Sequence, residues 1–205
     1  MAASPLTPIR AGAQALEALA SPARQELVSA LREGPATVRE LGRRLGRSRQ
    51  ALYYHLATLV GAGLVRVTGE RGTGRSRERV YELASGRLAV GARAGSPPEL
   101  DAAERAAKAM LRLSGRELAA ALRSGEARPT GAGRETLAMR GKARLDPKRL
   151  KRLNTLIDQI ATLLSQDRGQ AGGDRVYALT IVLTPAREAA DAAGSSPTPR
   201  KRKSR

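Results

Sequence analysis

The sequence predicts a mainly α-helical fold with a small amount of β-structure, and three observations support this. Apolar residues recur at helical spacing in four successive segments between residues 8 and 62. Two strand-like segments, 64–68 and 79–83, follow and flank a glycine-rich, basic connection, which is typical of a flexible hairpin. The chain is 41% apolar but has no Phe or Trp and only four Tyr, so its cores must consist of Leu, Val, Ile and Ala.

The boundaries of the four helices are marked by capping residues. A first helix is predicted over about residues 8–20. Ser21-Pro22 then predicts the start of a second helix, with Ser21 as N-cap and proline in the first turn, and Gly34-Pro35 predicts its end. Thr37 and Glu40 have the spacing of a capping box, which predicts a short third helix that ends at Gly46.

Ser48 is the predicted N-cap of a fourth helix, about residues 48–62. Four helices followed by a β-hairpin are the order of a winged helix-turn-helix, which we therefore predict over residues 1–90. A linker at 91–98 and a small α+β C-terminal domain at 99–185 are expected to follow.

Within that C-terminal domain, one helix is predicted at about 98–113, and a second capping box at Ser114 and Glu117 predicts the start of another. This helix-rich stretch carries an apolar stripe that suits a homodimer interface. The stripe consists of Leu100, Ala107, Leu111 and Leu118.

The remainder of the domain is predicted to pair strands 136–145 and 175–183 beneath a helix at 147–166. One face of that helix carries Leu150, Leu153, Ile157, Ile160 and Leu164. The domain is expected to dimerise, to bind a small-molecule effector or to contact another protein. The basic tail, 186–205, is expected to be disordered because it has too little apolar surface to bury.

Charge and composition indicate the partner. The net charge of +18 favours a polyanion, and the excess in the N-terminal module is localised: residues 43–79 hold nine Arg and two Glu, whereas the rest of residues 1–90 is balanced. We therefore expect double-stranded DNA as the partner.

The absence of Cys excludes disulfides, thiol catalysis and Cys-ligated metals, and a single His, His55, disfavours a zinc site. We expect no enzyme activity, no cofactor and no bound metal.

The N-terminus lacks the apolar core of a signal peptide, and no long apolar segment or lipidation motif indicates a membrane partner. The expected location is therefore cytoplasmic, in association with the nucleoid.

The fourth helix has two chemically distinct faces. On a helical wheel, Leu52, Leu56 and Leu59 point toward the core, whereas the opposite face carries polar and aromatic residues suited to base contacts. Arg43, Arg44 and Arg47 precede this helix and suit phosphate contacts. The predicted DNA-binding residues are Arg43, Arg47, Ser48, Arg49, Gln50, Tyr53, Tyr54, Arg71, Arg75, Arg77 and Arg79.

This N-terminal sequence resembles the DNA-binding module of ArsR-like winged-helix regulators. The resemblance covers about 40% of the chain and rests on "LASPARQELV", "TVRELGRRLG", "SRQALYYHLATL" and "GAGLV". It implies a homodimeric regulator whose fourth helices enter successive major grooves, with Arg49, Gln50, Tyr53 and Tyr54 at the family's DNA-facing positions. The metal-sensing branch of that family uses Cys ligands, so metal sensing is not implied here.

Three alternatives remain open. A sequence-tolerant architectural protein would also use a basic tail and an Arg-rich wing. An enzyme with a winged-helix accessory domain is less consistent with residues 91–205, which are poor in catalytic groups. A protein-binding winged helix is less consistent with the localised Arg excess. His55 lies beside the leucine stripe, and we interpret it as a half-buried residue that bonds the backbone rather than as a ligand or catalyst.

Overall fold

The computed structural model describes residues 12–72, 77–84, 96–166 and 175–186. Some predicted features lie outside these ranges: the first residues of the predicted helix 8–20, Arg75, most of the linker 91–98 and nearly all of the basic tail.

Four helices form the N-terminal part, in the predicted order. The capping box of the third helix is confirmed: the Thr37 N–H donates to Glu40 Oε2 at 2.7 Å, and the Glu40 N–H donates to Thr37 Oγ1 at 3.3 Å. Gly46 ends that helix in the left-handed conformation, with φ +62°. The helices are α1 (Ala13–Leu19), α2 (Pro22–Arg32), α3 (Val38–Leu45) and α4 (Arg49–Gly61).

A three-stranded antiparallel sheet completes this part. Its strands are β1 (Ala36–Thr37), β2 (Val65–Arg71) and β3 (Glu78–Leu83), in the order β1-β3-β2. The hairpin β2–β3 was predicted, although β2 extends three residues beyond the predicted end. β1 was not predicted, because two residues give no alternation pattern and its pairing with β3 is a long-range contact.

The C-terminal part begins with one long helix, α5 (Pro97–Ser124), rather than the two helices predicted. The second capping box does not form: Ser114 Oγ donates to the Met110 carbonyl at 3.1 Å, within a continuous helix. A glycine inside a helix costs only about 1 kcal/mol, so Gly115 does not break it while the buried Leu113 and neighbouring residues pack.

The long helix α5 is part of the N-terminal core. It packs along α1 and α2 through Ala102, Ala106 and Ala109, all of them buried. Gln25 of α2 is also buried, and its Nε2 donates to the carbonyls of Leu19 and Ala106 at 2.7 and 2.9 Å. Its amide group therefore satisfies buried backbone acceptors and ties three helices together.

A final helix, α6 (Pro147–Gln166), confirms the prediction, and Asp146 Oδ1 accepts from the Arg149 N–H at its start. The predicted strands 136–145 and 175–183 are wrong for the part of the chain that the structure describes, where both segments have no strand partner. Side chains of the second segment make two hydrogen bonds: the hydroxyls of Thr180 and of Ser114 in α5 bond each other, and the Tyr177 hydroxyl donates to Glu135 Oε1. β-branched composition predicted the strand at 175–183, but a strand also needs a neighbouring backbone to pair with.

The fold is therefore mainly α-helical with a small sheet, in a winged helix-turn-helix followed by a helical C-terminal region. Among the described helices, none is long and apolar enough to cross a membrane.

Candidate nucleic-acid interface

The two faces of α4 differ as the sequence predicts. Leu52, Leu56 and Leu59 are completely buried. On the other side, Gln50 and Ala57 are exposed, and Tyr53 and Tyr54 leave 52% and 69% of their surface in solvent. Two neighbouring aromatic side chains exposed on one helix face make this face a candidate binding surface.

The position of α4 is fixed by a tight turn after α3. The Arg47 N–H donates to the Gly42 carbonyl at 3.1 Å, and Ser48 Oγ caps α4 by accepting from the Ala51 N–H. A Cβ at Gly42 would lie 3.1 Å from the Arg47 carbonyl oxygen and 3.7 Å from Leu52 Cδ1. Glycine at position 42 thus allows the close approach of the two helices.

A shallow basic hollow lies beside the N-terminus of α4. Its lining combines arginines of α3, of the turn and of α4 with the partial positive charge of the helix end. Arg43 makes no ion pair or side-chain hydrogen bond to the described part of the chain and is exposed, so its guanidinium is available to an anion. The hollow is lined by Arg39, Gly42, Arg43, Arg47, Ser48 and Arg49.

Several of these arginines are held by carboxylates. Glu78 of β3 lies 3.0 Å from Arg39 and 3.9 Å from Arg49. Arg47 bonds Glu26 Oε2 through two nitrogens, at 3.0 and 2.6 Å, and the other oxygen of Glu26 accepts from Arg116 of α5 at 2.9 Å. Glu26 therefore links the turn before α4 to the long helix α5.

The hairpin contributes further arginines. Arg71 donates to Glu40 Oε1 at 2.7 Å, which joins the end of β2 to the cap of α3. The pKa of Glu40 lies below its usual value because the Thr37 backbone N–H and the Arg71 guanidinium both stabilise the carboxylate. Arg77 lies 4.0 Å from Glu70, and Arg79 is exposed without an ion pair among the described residues. Arg75 lies outside the described residues.

His55 is half-buried, as expected, but the expected backbone bond is absent at one ring nitrogen: Nδ1 is buried and has no hydrogen-bond partner among the described residues. Burial lowers the pKa of His55, and the charges of Arg24 and Arg47 lower it further. Both effects favour the neutral form of the ring, which lies in a T-shaped arrangement with the ring of Tyr54, their centroids 5.4 Å apart.

The structure brings most of the predicted residues to one side of the N-terminal module. Arg43, Arg47, Ser48 and Arg49 line the hollow, and Gln50, Tyr53 and Tyr54 lie on the exposed side of α4. The sequence interpretation missed Arg39 and the three carboxylates Glu26, Glu40 and Glu78 that pair with the arginines. No sequence signal identifies these pairs, because their members are 21 to 39 residues apart.

Within the described residues, no cluster of three His, Cys, Asp or Glu side chains could hold a metal ion. The geometry is that of a basic, partly aromatic surface around one exposed helix face.

One segment of the N-terminal module matches a known protein family. Residues 19–68 match a family described as "Helix-turn-helix domain". No curated protein matches the chain. Among solved structures, reduced HlyU from Vibrio cholerae is 34% identical over 34% of this chain and 68% of its own length, with a TM-score of 0.29. Residues 19–68, which contain α2, α3 and α4, therefore belong to the helix-turn-helix domain family.

Proposed function

We propose that this protein is an ArsR-like regulator that binds a two-fold symmetric DNA site as a homodimer, with α4 in the major groove and the Arg-rich hairpin on the flanking backbone. The observation that carries the proposal is the exposed face of α4. Gln50 suits the paired donor and acceptor of adenine, Arg49 suits guanine, and the tyrosines suit phosphate or a thymine methyl group. Ala57 leaves room for close approach of the helix to base edges.

The arginines around α4 support a division of roles. Arg43 and Arg79 lack carboxylate partners among the described residues, so phosphates can bind them without displacing anything. Arg49, Arg71 and Arg77 already have carboxylates nearby, and a phosphate has to compete with those for them. Arg47 is the most firmly held, so we assign it to positioning the turn as well as to the backbone contact predicted for it.

Homodimer formation is supported by α5. Its buried side, with Ala102, Ala106 and Ala109, faces α1 and α2. The stripe predicted for dimerisation lies on nearly the opposite side of the same helix, where Leu100 and Leu111 are about half exposed. A module of this size contacts only a few base pairs, and a second copy doubles the length of the recognised sequence.

The rival function is that of a sequence-tolerant architectural protein. The basic hollow and hairpin serve either function, because phosphate contacts carry no sequence information. Only the exposed face of α4, with its varied hydrogen-bonding groups, favours sequence-specific binding.

The test is a selection of preferred duplexes followed by competition binding at physiological salt. We expect a palindromic or near-palindromic site to bind at least about a thousandfold more tightly than random duplex. Gln50→Ala should change the preferred base at one position in each half-site, at a cost of about 1–3 kcal/mol there. Arg43→Ala is the matched control: it should weaken all duplexes alike and reduce the slope of log affinity against log salt by about one.

Two results would contradict the proposal. Equal affinity for the selected and random duplexes favours the architectural protein. An unchanged selected sequence with Gln50→Ala shows that the exposed face of α4 does not contact bases.

A further inference from the structure

The helix α6 carries an apolar stripe that the described chain leaves at least partly exposed: Leu150, Ile160 and Leu164 are exposed, and Leu153 and Ile157 are half-exposed. Its members recur at the spacing of a helix–helix seam, over four turns. The side chains of α6 described by the structure are all exposed or half-exposed, and the helix does not pack along any other helix or strand in the described part of the chain. The stripe consists of Leu150, Leu153, Ile157, Ile160 and Leu164.

The two segments that the sequence predicts beneath α6 do not form a strand pair there, and α6 keeps no buried side chain among its described residues. Segments 136–145 and 175–183 are extended and carry nine large apolar side chains that are themselves at least 40% exposed. An amphipathic helix of this length is only marginally stable by itself in water, and exposed apolar patches of this extent are rare on monomers. This part of the molecule therefore needs a partner.

The rest of the chain is a poor source for that partner. Outside the described ranges, the sequence contains only five large apolar residues, all of them in the first eleven residues or in 85–95. The segments 167–174 and 187–205, which flank the C-terminal elements, contain none. Too few apolar groups remain in this sequence to cover both the helix and these two segments, which favours a second molecule as the partner.

We propose that the α6 stripe packs antiparallel against α6 of a second copy of this chain, across a two-fold axis near Ile157. A continuous Leu/Ile stripe without a polar interruption is self-complementary, which suits an identical partner. Ile157 is the midpoint of the stripe from Leu150 to Leu164, so alignment of the full stripes places it opposite Ile157 of the partner subunit.

The charges of α6 select the antiparallel arrangement. Lys148, Arg149, Lys151 and Arg152 lie in its first two turns, whereas its second half carries Asp158 and ends in the negative pole of the helix dipole. In an antiparallel pair, the basic half of each helix lies beside the second half of the other. A parallel pair would place four positive charges beside four more.

This pairing goes beyond the dimer contact proposed for α5 but rests on the same second copy. A stable interface takes about 800 Å² from each partner, which is more than one helix of this length supplies. The exposed stripe of α5 and the apolar segment 136–145, which leads directly into α6, provide the additional surface.

Because the chain contains no Cys, a single introduced cysteine reports on one position only. In the full-length protein, Ile157→Cys should form a disulfide-linked dimer under mild oxidation, resolved on a non-reducing gel. Thr155→Cys is the matched control: it lies two residues away, exposed, and about 160° around the helix, so it should remain monomeric on the gel. Cross-linking of Ile157→Cys no greater than that of Thr155→Cys overturns the proposal, as does preferential cross-linking to a second cysteine placed at Leu111 in α5.

A second measurement does not depend on oxidation. By sedimentation at several concentrations, Ile157→Asp should raise the dimer dissociation constant at least about tenfold, whereas Thr155→Asp should leave it unchanged. Equal dissociation constants for these two variants contradict the inference, and circular dichroism identifies a variant that has unfolded. Failure of these tests with intact sequence-specific DNA binding overturns only the α6 pairing, whereas loss of specificity in the unmodified protein overturns the proposed function.

Discussion

The winged helix-turn-helix and the region after Gly125 are built from similar residues, yet they place them differently. From Ala13 to Leu83, the apolar side chains form one core, and the large exposed ones are few: Tyr53, Tyr54, Val60 and Val67. Among the described residues from Leu137 to Leu183, fourteen large apolar side chains are exposed, and none is buried. The first region, with α5 packed against it, buries nearly all of its apolar surface, and its two large exposed aromatic side chains lie on the face proposed to meet DNA, whereas the second leaves its apolar surface open to another molecule.

Truncation of one leucine in each region gives the largest expected difference between the regions in the free energy of unfolding. Leu56 is completely buried between α4 and its neighbours, so Leu56→Ala should reduce the free energy of unfolding by about 2–5 kcal/mol. Leu163 of α6 is 65% exposed and lies off the apolar stripe, so Leu163→Ala should cost less than about 0.5 kcal/mol. Urea unfolding of the full-length variants at one protein concentration measures both values.

A comparable loss in the two leucine variants would remove the contrast between the regions. It would mean that Leu163 is buried in the protein as it exists in solution, and the α6 interface would then extend beyond the stripe proposed here.

Two helical glycines sharpen the same comparison at a smaller scale. Gly42 of α3 is pressed against α4, so a Cβ there must displace the Arg47 carbonyl, at a cost of about 1–3 kcal/mol that exceeds the gain in helix propensity. Gly115 of α5 has open space around its Cβ position, so Gly115→Ala should stabilise the protein by about 1 kcal/mol. Thermal unfolding should therefore show a lower Tm for Gly42→Ala and a higher Tm for Gly115→Ala.

If Gly42→Ala also raises the Tm, the turn between α3 and α4 relaxes more easily than the close approach to Arg47 implies. A lower Tm for Gly115→Ala would instead show that a partner covers that part of α5.

The same contrast explains what the sequence could and could not predict. The helices of the N-terminal module were predictable because local signals agree with tertiary packing: the Thr37–Glu40 capping box, Gly46 at the end of α3, and the leucine stripe of α4. The continuity of α5 was missed because Ser114 and Glu117 have the spacing of a capping box. Only the packing of α5 against α1 and α2 decides between a new cap and a continued helix. Segments 136–145 and 175–183 were mispredicted because β-propensity says nothing about whether a pairing strand is present.

The candidate site also has a part that the sequence predicts and a part that it does not. The exposed face of α4 follows from helical periodicity and was predicted residue by residue. The pairing of Arg47 with Glu26 and of Arg49 with Glu78 depends on contacts between distant elements, which periodicity does not contain.

The smallest expected effect concerns His55, which is half-buried beside the leucine stripe of α4. The pKa of His55 in the folded protein lies below its ordinary value of 6.5, chiefly because of burial and also because of Arg24 and Arg47. The unfolded chain therefore binds a proton at a higher pH than the folded one, so this group contributes stability that is fully present above about pH 6.5 and is lost as the pH falls toward its folded pKa. His55→Gln removes the titration and keeps a polar side chain of similar size. Urea unfolding at about pH 7.5 and about pH 5 should show that the unmodified protein loses more stability than the variant over this interval, by no more than about 1.4 kcal/mol per pH unit. An identical loss in both proteins would show that the ring takes up a proton as readily when folded as when unfolded, and that Nδ1 finds an acceptor which the packing around α4 does not provide.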